Sequence, residues 1–271
     1  MKSARALAFT LLWALAASLA GCGGGTQTTG VTAAPAAASA PAFDHAPFDD
    51  ILRAHVHAGR VDYRSLKAEA EDEFQRYLRL LETADPQQFP ERDDQLAFWL
   101  NAYNAFVIAG VVARYPEIES VMDVLDFFKQ KRWTVGGRRR SLDEIENEII
   151  RPTFKDPRIH FILVCAAQSC PPLQAKAMKG ETLQADLEQI TRAVINDTAY
   201  VRPDPEAKAL HLTPIMSWYK QDFVDKDGSL EAFLVRYLEA PARRRVEGGS
   251  LKIQFTKYDW ALNDAGAGAR E

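Results

Sequence analysis

The residues whose types and spacing could do chemistry lie mostly in one stretch, 158–173, with the sequence RIHFILVCAAQSCPPL. This stretch contains His160, Cys165 and Cys170. A cysteine becomes nucleophilic when a neighbouring cation or base stabilises its thiolate, and histidine is the commonest such base. The stretch therefore predicts a thiol-dependent site, with Cys170 as nucleophile and His160 as general base.

The backbone around these residues sets the distance between them. The run 159–166 is short, apolar and rich in branched residues, which predicts a buried strand. On a strand, His160 and Cys165 would face opposite sides, so Cys165 is expected to fill space in the core. Such a strand would span roughly 20 Å, whereas the four residues up to Cys170 reach back about 13 Å at most, so a contact with His160 requires a sharp return.

The two cysteines have two further interpretations. They lie five residues apart, and a turn could bring their Cα atoms within the ~4.4–6.8 Å that a disulfide needs. A disulfide is also chemically compatible with an oxidising cell envelope. Both thiols could instead be inert, so the sequence leaves a disulfide, a reactive Cys170 and inert thiols open.

Several other polar and aromatic side chains could complete such a site. Asn101 and Asn104 lie three residues apart on a predicted helix and share a face. They either bond to the backbone, as buried amides usually do, or line a pocket and orient a catalytic group. Glu144 is a further candidate for the orienting or oxyanion role, and Trp218 and Tyr219 are expected to line a ligand pocket.

Metal and nucleic-acid chemistry are not indicated. His55 and His57 are two residues apart on a predicted helix and therefore diverge, and neither an H-E-x-x-H nor a paired C-x-x-C motif occurs. We expect no metal and no cofactor. The net charge of -4 argues against binding to nucleic acid, which normally requires a basic excess.

The elements that must position these residues suggest an α+β fold. A helix predicted over 93–114 is apolar on every side and is expected to be the central buried helix of the domain. A hairpin is predicted over 132–142, and the Ser141–Glu144 capping box begins a helix that ends at Pro152. Long helices come first and strands later, without a βαβ rhythm, which favours one domain with helices around a small, mostly antiparallel sheet.

The amino terminus carries the signature of a lipoprotein. Residues 1–21 combine a basic start with a short apolar run, and Leu19 to Cys22 resembles the bacterial lipobox. An ordinary secretory signal is the alternative. We expect an acylated Cys22 that binds the lipid bilayer, a flexible linker over 22–42, a folded domain over 43–265 and a disordered tail over 266–271. Gly23 follows the cysteine where aspartate would favour the inner membrane, which implies the periplasmic leaflet of the outer membrane in a two-membrane source.

Five motifs give the chain a family resemblance. They are QLAFWLNAYNAF at 95–106, SLDEIE at 141–146, RIHF through CPPL at 158–173, WYKQDF at 218–223 and YDWALN at 258–263. In this order they resemble the domain of unknown function 547 family, over nearly all of 43–263. The resemblance implies the domain without implying a reaction. Many members have histidine where this chain has Asn147, so a two-histidine metal centre is not expected.

Two functional hypotheses follow from these residues. The first is a membrane-tethered hydrolase or transferase that uses Cys170 and His160 on an amide or ester of the cell envelope. The second is a non-catalytic envelope module that binds a small molecule or a peptide through the pocket residues.

Overall fold

In the computed structural model, residues 42–204, 206–249 and 251–266 are described. The predicted signal peptide over 1–21, the linker with Cys22 apart from Ala42, and the predicted tail beyond Gly266 lie outside the described residues. Most elements within the described part are helices, and short strand pairs lie between them. The prediction of an α+β domain with small sheets and one buried apolar helix is confirmed.

The helices vary in length from single turns to the long α4. In chain order they are α1 Ala46–His55, α2 Tyr63–Glu69, α3 Glu71–Thr83, α4 Arg92–Val112, α5 Leu142–Glu144, a π-helical stretch Ile145–Ile150, α6 Arg151–Phe154, α7 Leu183–Asn196, α8 Ile215–Trp218, α9 Lys220–Asp227, α10 Leu230–Tyr237 and α11 Ala240–Glu247. Short 3-10 turns lie at Pro86–Gln88, Val121–Asp123, Pro157–Phe161 and Gly180–Thr182.

The strands form three small sheets. Their bounds are β1 Val56–His57, β2 Arg60–Val61, β3 Trp133–Val135, β4 Arg138–Arg140, β5 Val201–Asp204, β6 Ala209–Leu212 and β7 Lys252–Phe255. The pairs β1–β2 and β3–β4 are antiparallel hairpins, and in the third sheet β6 pairs antiparallel with β5 and parallel with β7. The predicted hairpin is present, with Gly136 and Gly137 both at positive φ in its turn, as a two-residue turn of this kind requires.

Helix α4 lies at the centre of the core. Every residue from Leu96 to Val112 is buried, and α4 contacts α2, α3, α5 and α7. By length and composition alone it could cross a membrane, but 94% of its most apolar window is buried by the rest of the domain. The all-round apolar pattern therefore marks a helix that is enclosed by other helices.

Three sequence-based expectations about local structure are wrong. The helix expected to carry both His55 and His57 ends at His55, and His57 lies on β1. The helix that begins with the Ser141 capping box does not end at Pro152, because the backbone widens into the π-helical stretch and continues as α6. Pro152 then lies at the start of α6, directly after the wider π-helical turn. The strand predicted over 159–166 is replaced by the 3-10 turn Pro157–Phe161 and an irregular segment.

Candidate active site

A 3-10 turn, not a strand, carries His160. Pro157 occupies the first turn of this element, and the Asp156 side chain accepts a hydrogen bond from the backbone of Arg158. These two features favour a helical turn over extended backbone. A turn keeps His160 close to the segment that follows it. The separation of about 20 Å between the two ends of a strand over 159–166 therefore does not arise.

The buried His160 belongs to a network with the half-buried side chains of Asp222 and Arg151. Nε2 of His160 lies 2.7 Å from the Asp222 carboxylate, which Arg151 also contacts through two nitrogens at 2.7 and 2.8 Å. The Tyr219 ring stacks on the imidazole with its centroid 3.9 Å away. Three separate elements, the 3-10 turn, α6 and α9, therefore fix the position of the imidazole.

The electrostatics of this network favour a neutral His160. Burial lowers the pKa of His160, although the Asp222 carboxylate opposes this. Burial would raise the pKa of the Asp222 carboxyl, but hydrogen bonds from Arg151 and His160 lower it far below its usual range. An ionised Asp222 can only accept, so Nε2 carries the proton of the neutral imidazole. Nδ1 is then the basic nitrogen, and it has no hydrogen-bond partner among the described residues.

A tight turn after this segment brings the two cysteines together. Ala166 adopts a left-handed backbone with φ 61°, and the backbone N–H of Cys165 donates to Sγ of Cys170 over 3.1 Å. The Tyr258 hydroxyl lies 3.0 Å from Sγ of Cys165 and 3.2 Å from Sγ of Cys170. Both thiols are free in this structure. The expectation that Cys165 faces away from His160 as core filler is wrong, because the loss of the strand places it on the same cavity.

The carboxyl-terminal segment holds this cysteine turn in place. The backbone N–H of Gln168 donates to Ala261 over 2.8 Å, and that of Asn263 donates to Ala166 over 2.9 Å. Because these bonds fix the segment 258–263 against the turn, Tyr258 is held above both sulfur atoms.

The contacts at the sulfur atoms distinguish the two thiols. Burial would raise the pKa of Cys170, but hydrogen bonds from Cys165, Tyr258 and backbone N–H groups outweigh burial and lower it. The hydrogen bond with Cys170 raises the pKa of Cys165 well above its ordinary value. The contacts in the turn therefore make Cys170 the more acidic of the two thiols, whereas Cys165 keeps its proton more firmly.

A cavity of about 400 Å³ joins these groups. Its lining includes His160, both cysteines, acidic and amide side chains from the π-helical region, and several aromatic rings. The lining residues are Tyr103, Phe128, Lys129, Asp143, Glu146, Asn147, His160, Leu163, Cys165, Cys170, Ile215, Trp218, Tyr219, Tyr258 and Trp260. The Trp218 side chain is 50% exposed at the mouth. His160 and the two thiols share this lining, and His160 forms no hydrogen bond with either sulfur within the described part of the chain.

The two predicted asparagines are placed behind the cavity wall. The Asn104 amide donates to the carbonyl of Ile162 over 3.0 Å and accepts from the N–H of Val164 over 3.0 Å. Asn101 makes the same pair of bonds with Met178, at 2.8 and 2.9 Å. Neither side chain lines the cavity. Of the two interpretations left open by the sequence, these contacts match the one in which buried amides bond to the backbone.

Glu144 is also placed away from the cavity. It accepts from the backbone N–H of Ser141 over 2.8 Å as part of the capping box and forms an ion pair with Lys131 at 2.6 Å. Hydrogen bonds from Lys131 and Ser141 lower its pKa. Trp218 and Tyr219, by contrast, lie on the cavity with His160 and Cys170, as expected for pocket residues.

Sequence reasoning missed three groups that the structure brings to this site. Asp222 holds His160, Tyr258 contacts both sulfur atoms, and the Glu146 carboxylate lies in the cavity wall. Each lies inside a motif that carries the family resemblance, at 218–223, 258–263 and 141–146. Membership of these motifs is the one sequence signal that could have identified the three residues. Spacing along the chain does not reveal that Asp222 contacts His160 from 62 residues away or that Tyr258 contacts Cys170 from 88 residues away.

In the described part of the chain, no group of three or more His, Cys, Asp and Glu side chains could hold a metal ion. The comparison with family models supports the sequence resemblance over part of the chain. Residues 86–195 match the family model described as "Protein of unknown function, DUF547". Neither the comparison with curated proteins nor that with solved structures finds a match. The matched segment contains α4, Glu146, His160 and both cysteines, and the segment 86–195 of this chain therefore belongs to the DUF547 family.

Proposed function

We propose that the cavity is the active site of a thiol-dependent hydrolase or acyltransferase that acts on an amide or ester of the cell envelope. One observation carries this proposal: a cysteine sulfur that accepts a hydrogen bond from a backbone N–H and lies 3.2 Å from a tyrosine hydroxyl shares a cavity with a histidine held by an aspartate. A nucleophile, a base and a group that orients the base are the three components that covalent acyl transfer requires.

The proposed reaction assigns one role to each group. The Cys170 sulfur attacks the carbonyl carbon to form a C–S bond, and the thiol proton passes to Nδ1 of His160. The C–N or C–O bond then breaks, and the leaving amine or alcohol takes that proton from His160. Water or an acceptor amine, deprotonated by His160, attacks the thioester and restores the Cys170 thiol. Asp222 keeps the imidazole in the required tautomer throughout.

The absence of a direct bond between His160 and Cys170 in the described residues is compatible with these roles. Catalytic hydrogen bonds are often long without substrate and shorten when the substrate is bound. The neutral state of His160 also suits a base, because a protonated imidazole could not accept the proton of the thiol.

The reactivity of Cys170 tests the proposal. At pH 7 we expect iodoacetamide to alkylate Cys170 about tenfold faster than Cys165, because the alkylating species is the thiolate. Intact-mass kinetics followed by peptide mapping measures both rates. Cys170→Ser should abolish the fast phase and the turnover of a chromogenic ester, and Cys165→Ser should leave a fast phase at Cys170.

Two outcomes of these measurements would contradict the proposal. If Cys170→Ser left alkylation and ester turnover unchanged, the sulfur would have no part in chemistry and the proposal would be wrong. Equal rates at the two cysteines would also contradict it, because the turn would then not distinguish the thiols.

A ligand-binding module is the second candidate function. Its supporting observation is the aromatic mouth, where Trp218 lies 4.8 Å from Tyr258 and 5.8 Å from Trp260 between ring centroids. Such rings bind the apolar part of a small molecule or peptide without chemistry. Ligand binding that protects the fold, with no turnover and no fast alkylation, would favour this candidate.

We propose an envelope location on separate grounds. The basic start, apolar run and lipobox-like tetrapeptide before Cys22 support lipid anchoring, and an uncharged segment follows. The periplasmic leaflet of the outer membrane is the location proposed for a two-membrane source, because Gly23 follows Cys22.

A further inference from the structure

The wall of the same cavity also contains a buried acidic group, Glu146. Glu146 is only 7% exposed, and it lines the cavity from its position in the π-helical stretch. Glutamate is rarely buried unless it is paired with a cation. Glu146 has no ion pair in the described part of the chain, because the nearby Arg151 directs its guanidinium to Asp222.

The surroundings of Glu146 are aromatic. Tyr103, which is 4% exposed, and Tyr219 line the same cavity, and the Tyr219 hydroxyl interacts with the Glu146 carboxylate. The faces of aromatic rings attract cations, most strongly when water is excluded. The Tyr219 ring itself already stacks on His160 and lies 5.0 Å from the Arg151 guanidinium. The Glu146 carboxylate with the remaining aromatic rings of the lining is therefore the environment suited to a further positively charged group.

The formal charges on the cavity wall point the same way. Asp143 and Glu146 are acidic, and Lys129 is the exposed basic side chain of the lining. Arg151 is not a lining residue, and its guanidinium is paired with Asp222 beside the Tyr219 ring. The carboxylates thus exceed the unpaired cations in the lining, and Glu146 is the more deeply buried of the two.

The backbone around Glu146 is π-helical. Glu146 lies within the stretch Ile145–Ile150, and its carbonyl accepts from the N–H of Arg151, five residues further along. Single π-helical turns occur frequently at functional sites because they change which side chains face a pocket.

We propose that the natural substrate carries a protonated amine close to its scissile amide or ester, and that Glu146 with the neighbouring aromatic rings binds this amine. The inference rests on the proposed function, since it assigns a substrate class to the same cavity. Glu146 is a binding residue in this assignment, and Cys170 and His160 keep the chemistry.

Small aromatic probes separate the amine from the rest of the ligand. Benzylamine and benzyl alcohol have nearly the same shape, but only benzylamine is charged at pH 7. Tryptophan fluorescence of the full-length protein, with Trp218 and Trp260 on the cavity, follows their binding. We expect benzylamine to bind roughly tenfold more tightly than benzyl alcohol, which is a typical effect of a desolvated charge and an aromatic contact.

Variants assign the preference to Glu146. Glu146→Gln should reduce the amine-to-alcohol ratio to about twofold or less, because the shape is kept and the charge is lost. Glu148→Gln, an exposed residue two positions along, is the matched control and should keep the tenfold ratio. Lys129→Ala removes the competing cation and should keep or increase it.

The binding measurements test the amine assignment independently of the proposed reaction at Cys170. Equal binding of benzylamine and benzyl alcohol to the wild-type protein, or the same loss in Glu148→Gln and Glu146→Gln, would overturn it. Rapid alkylation of Cys170 would still stand in either case, so the failure of the amine assignment is distinguishable from the failure of the thiol reaction.

Discussion

At the scale of single residues, the site depends on how each proton is held. The neutral state of His160 follows from burial, and its tautomer follows from the ionised Asp222 at 2.7 Å. The lowered pKa of Cys170 follows from the groups that form hydrogen bonds with its sulfur. The two groups are complementary, because a neutral His160 can accept the proton that the Cys170 thiol loses.

Replacing Asp222 tests this electrostatic arrangement. Asp222→Asn leaves Arg151 without its anion, so we expect a loss of about 1–3 kcal/mol in the free energy of unfolding at pH 7. The folded pKa of Asp222 is depressed, so its contribution is full above the unfolded value near 3.9 and is lost as the pH falls toward the folded value. The difference between wild type and variant should therefore shrink as the pH falls below about 4. Urea unfolding across pH measures it.

The control for this measurement is Asp225→Asn, an exposed carboxylate in the same helix α9. We expect it to change the free energy of unfolding by no more than about 0.5 kcal/mol. Parallel stability curves for wild type and Asp222→Asn across the acid range would show that the Asp222 charge does not stabilise the folded state.

The same scale shows what sequence can predict. Residue type and context identify Cys170, His160, Trp218 and Tyr219, and all four line the cavity. The same reasoning selects Glu144 in place of Glu146, two positions further along. The capping box predicts a helix beginning at Ser141, but the π-helical turn that brings Glu146 to the cavity has no signature in residue spacing.

At the scale of elements, α4 organises the cysteine segment through a side-chain amide. Asn104 offers a donor and an acceptor to Ile162 and Val164, which is the pairing that a neighbouring strand would supply. The branched apolar run is therefore buried, as predicted, but its predicted conformation is wrong because its polar backbone finds an amide on a helix as its partner. A tertiary contact over about 60 residues decides this, and local propensity does not contain it.

Removal of this amide should cost stability. Asn104→Ala leaves the carbonyl of Ile162 and the N–H of Val164 buried without a partner, so we expect a loss of about 1–3 kcal/mol in the free energy of unfolding. Because the segment leads to the cysteine turn, alkylation of Cys170 should also become less selective over Cys165. Denaturant unfolding and intact-mass kinetics measure the two effects.

Asn147→Ala is the matched control, because its exposed amide bonds to Asp143 and Arg151 without holding buried backbone. Its change in unfolding free energy should stay within about 0.5 kcal/mol. An equal effect of the two alanine variants would contradict the assigned role of Asn104.

At the scale of the whole molecule, the segment 258–263 completes the site from late in the chain. The Tyr63 hydroxyl donates to Asn263 over 2.7 Å, which ties the segment after Tyr258 to α2 near the start of the described residues. Asp222 reaches His160 from 62 residues away, and Tyr258 reaches Cys170 from 88 residues away. The α+β class and the central helix can be predicted because they depend on composition and periodicity, whereas these long-range contacts require the folded structure.

The whole-molecule scale also includes the proposed lipid anchor. Each buried methylene of an acyl chain stabilises membrane binding by about 0.8 kcal/mol, so a multiply acylated Cys22 should keep the domain on a bilayer. Expressed in a two-membrane bacterium, the wild-type protein should sediment with membranes and incorporate labelled palmitate. Cys22→Ser should do neither, with an unchanged unfolding temperature for the domain, while Cys170→Ser should still be labelled. Palmitate incorporation into Cys22→Ser would show that the anchor is attached elsewhere, and membrane association without any label would show that no acyl chain is needed.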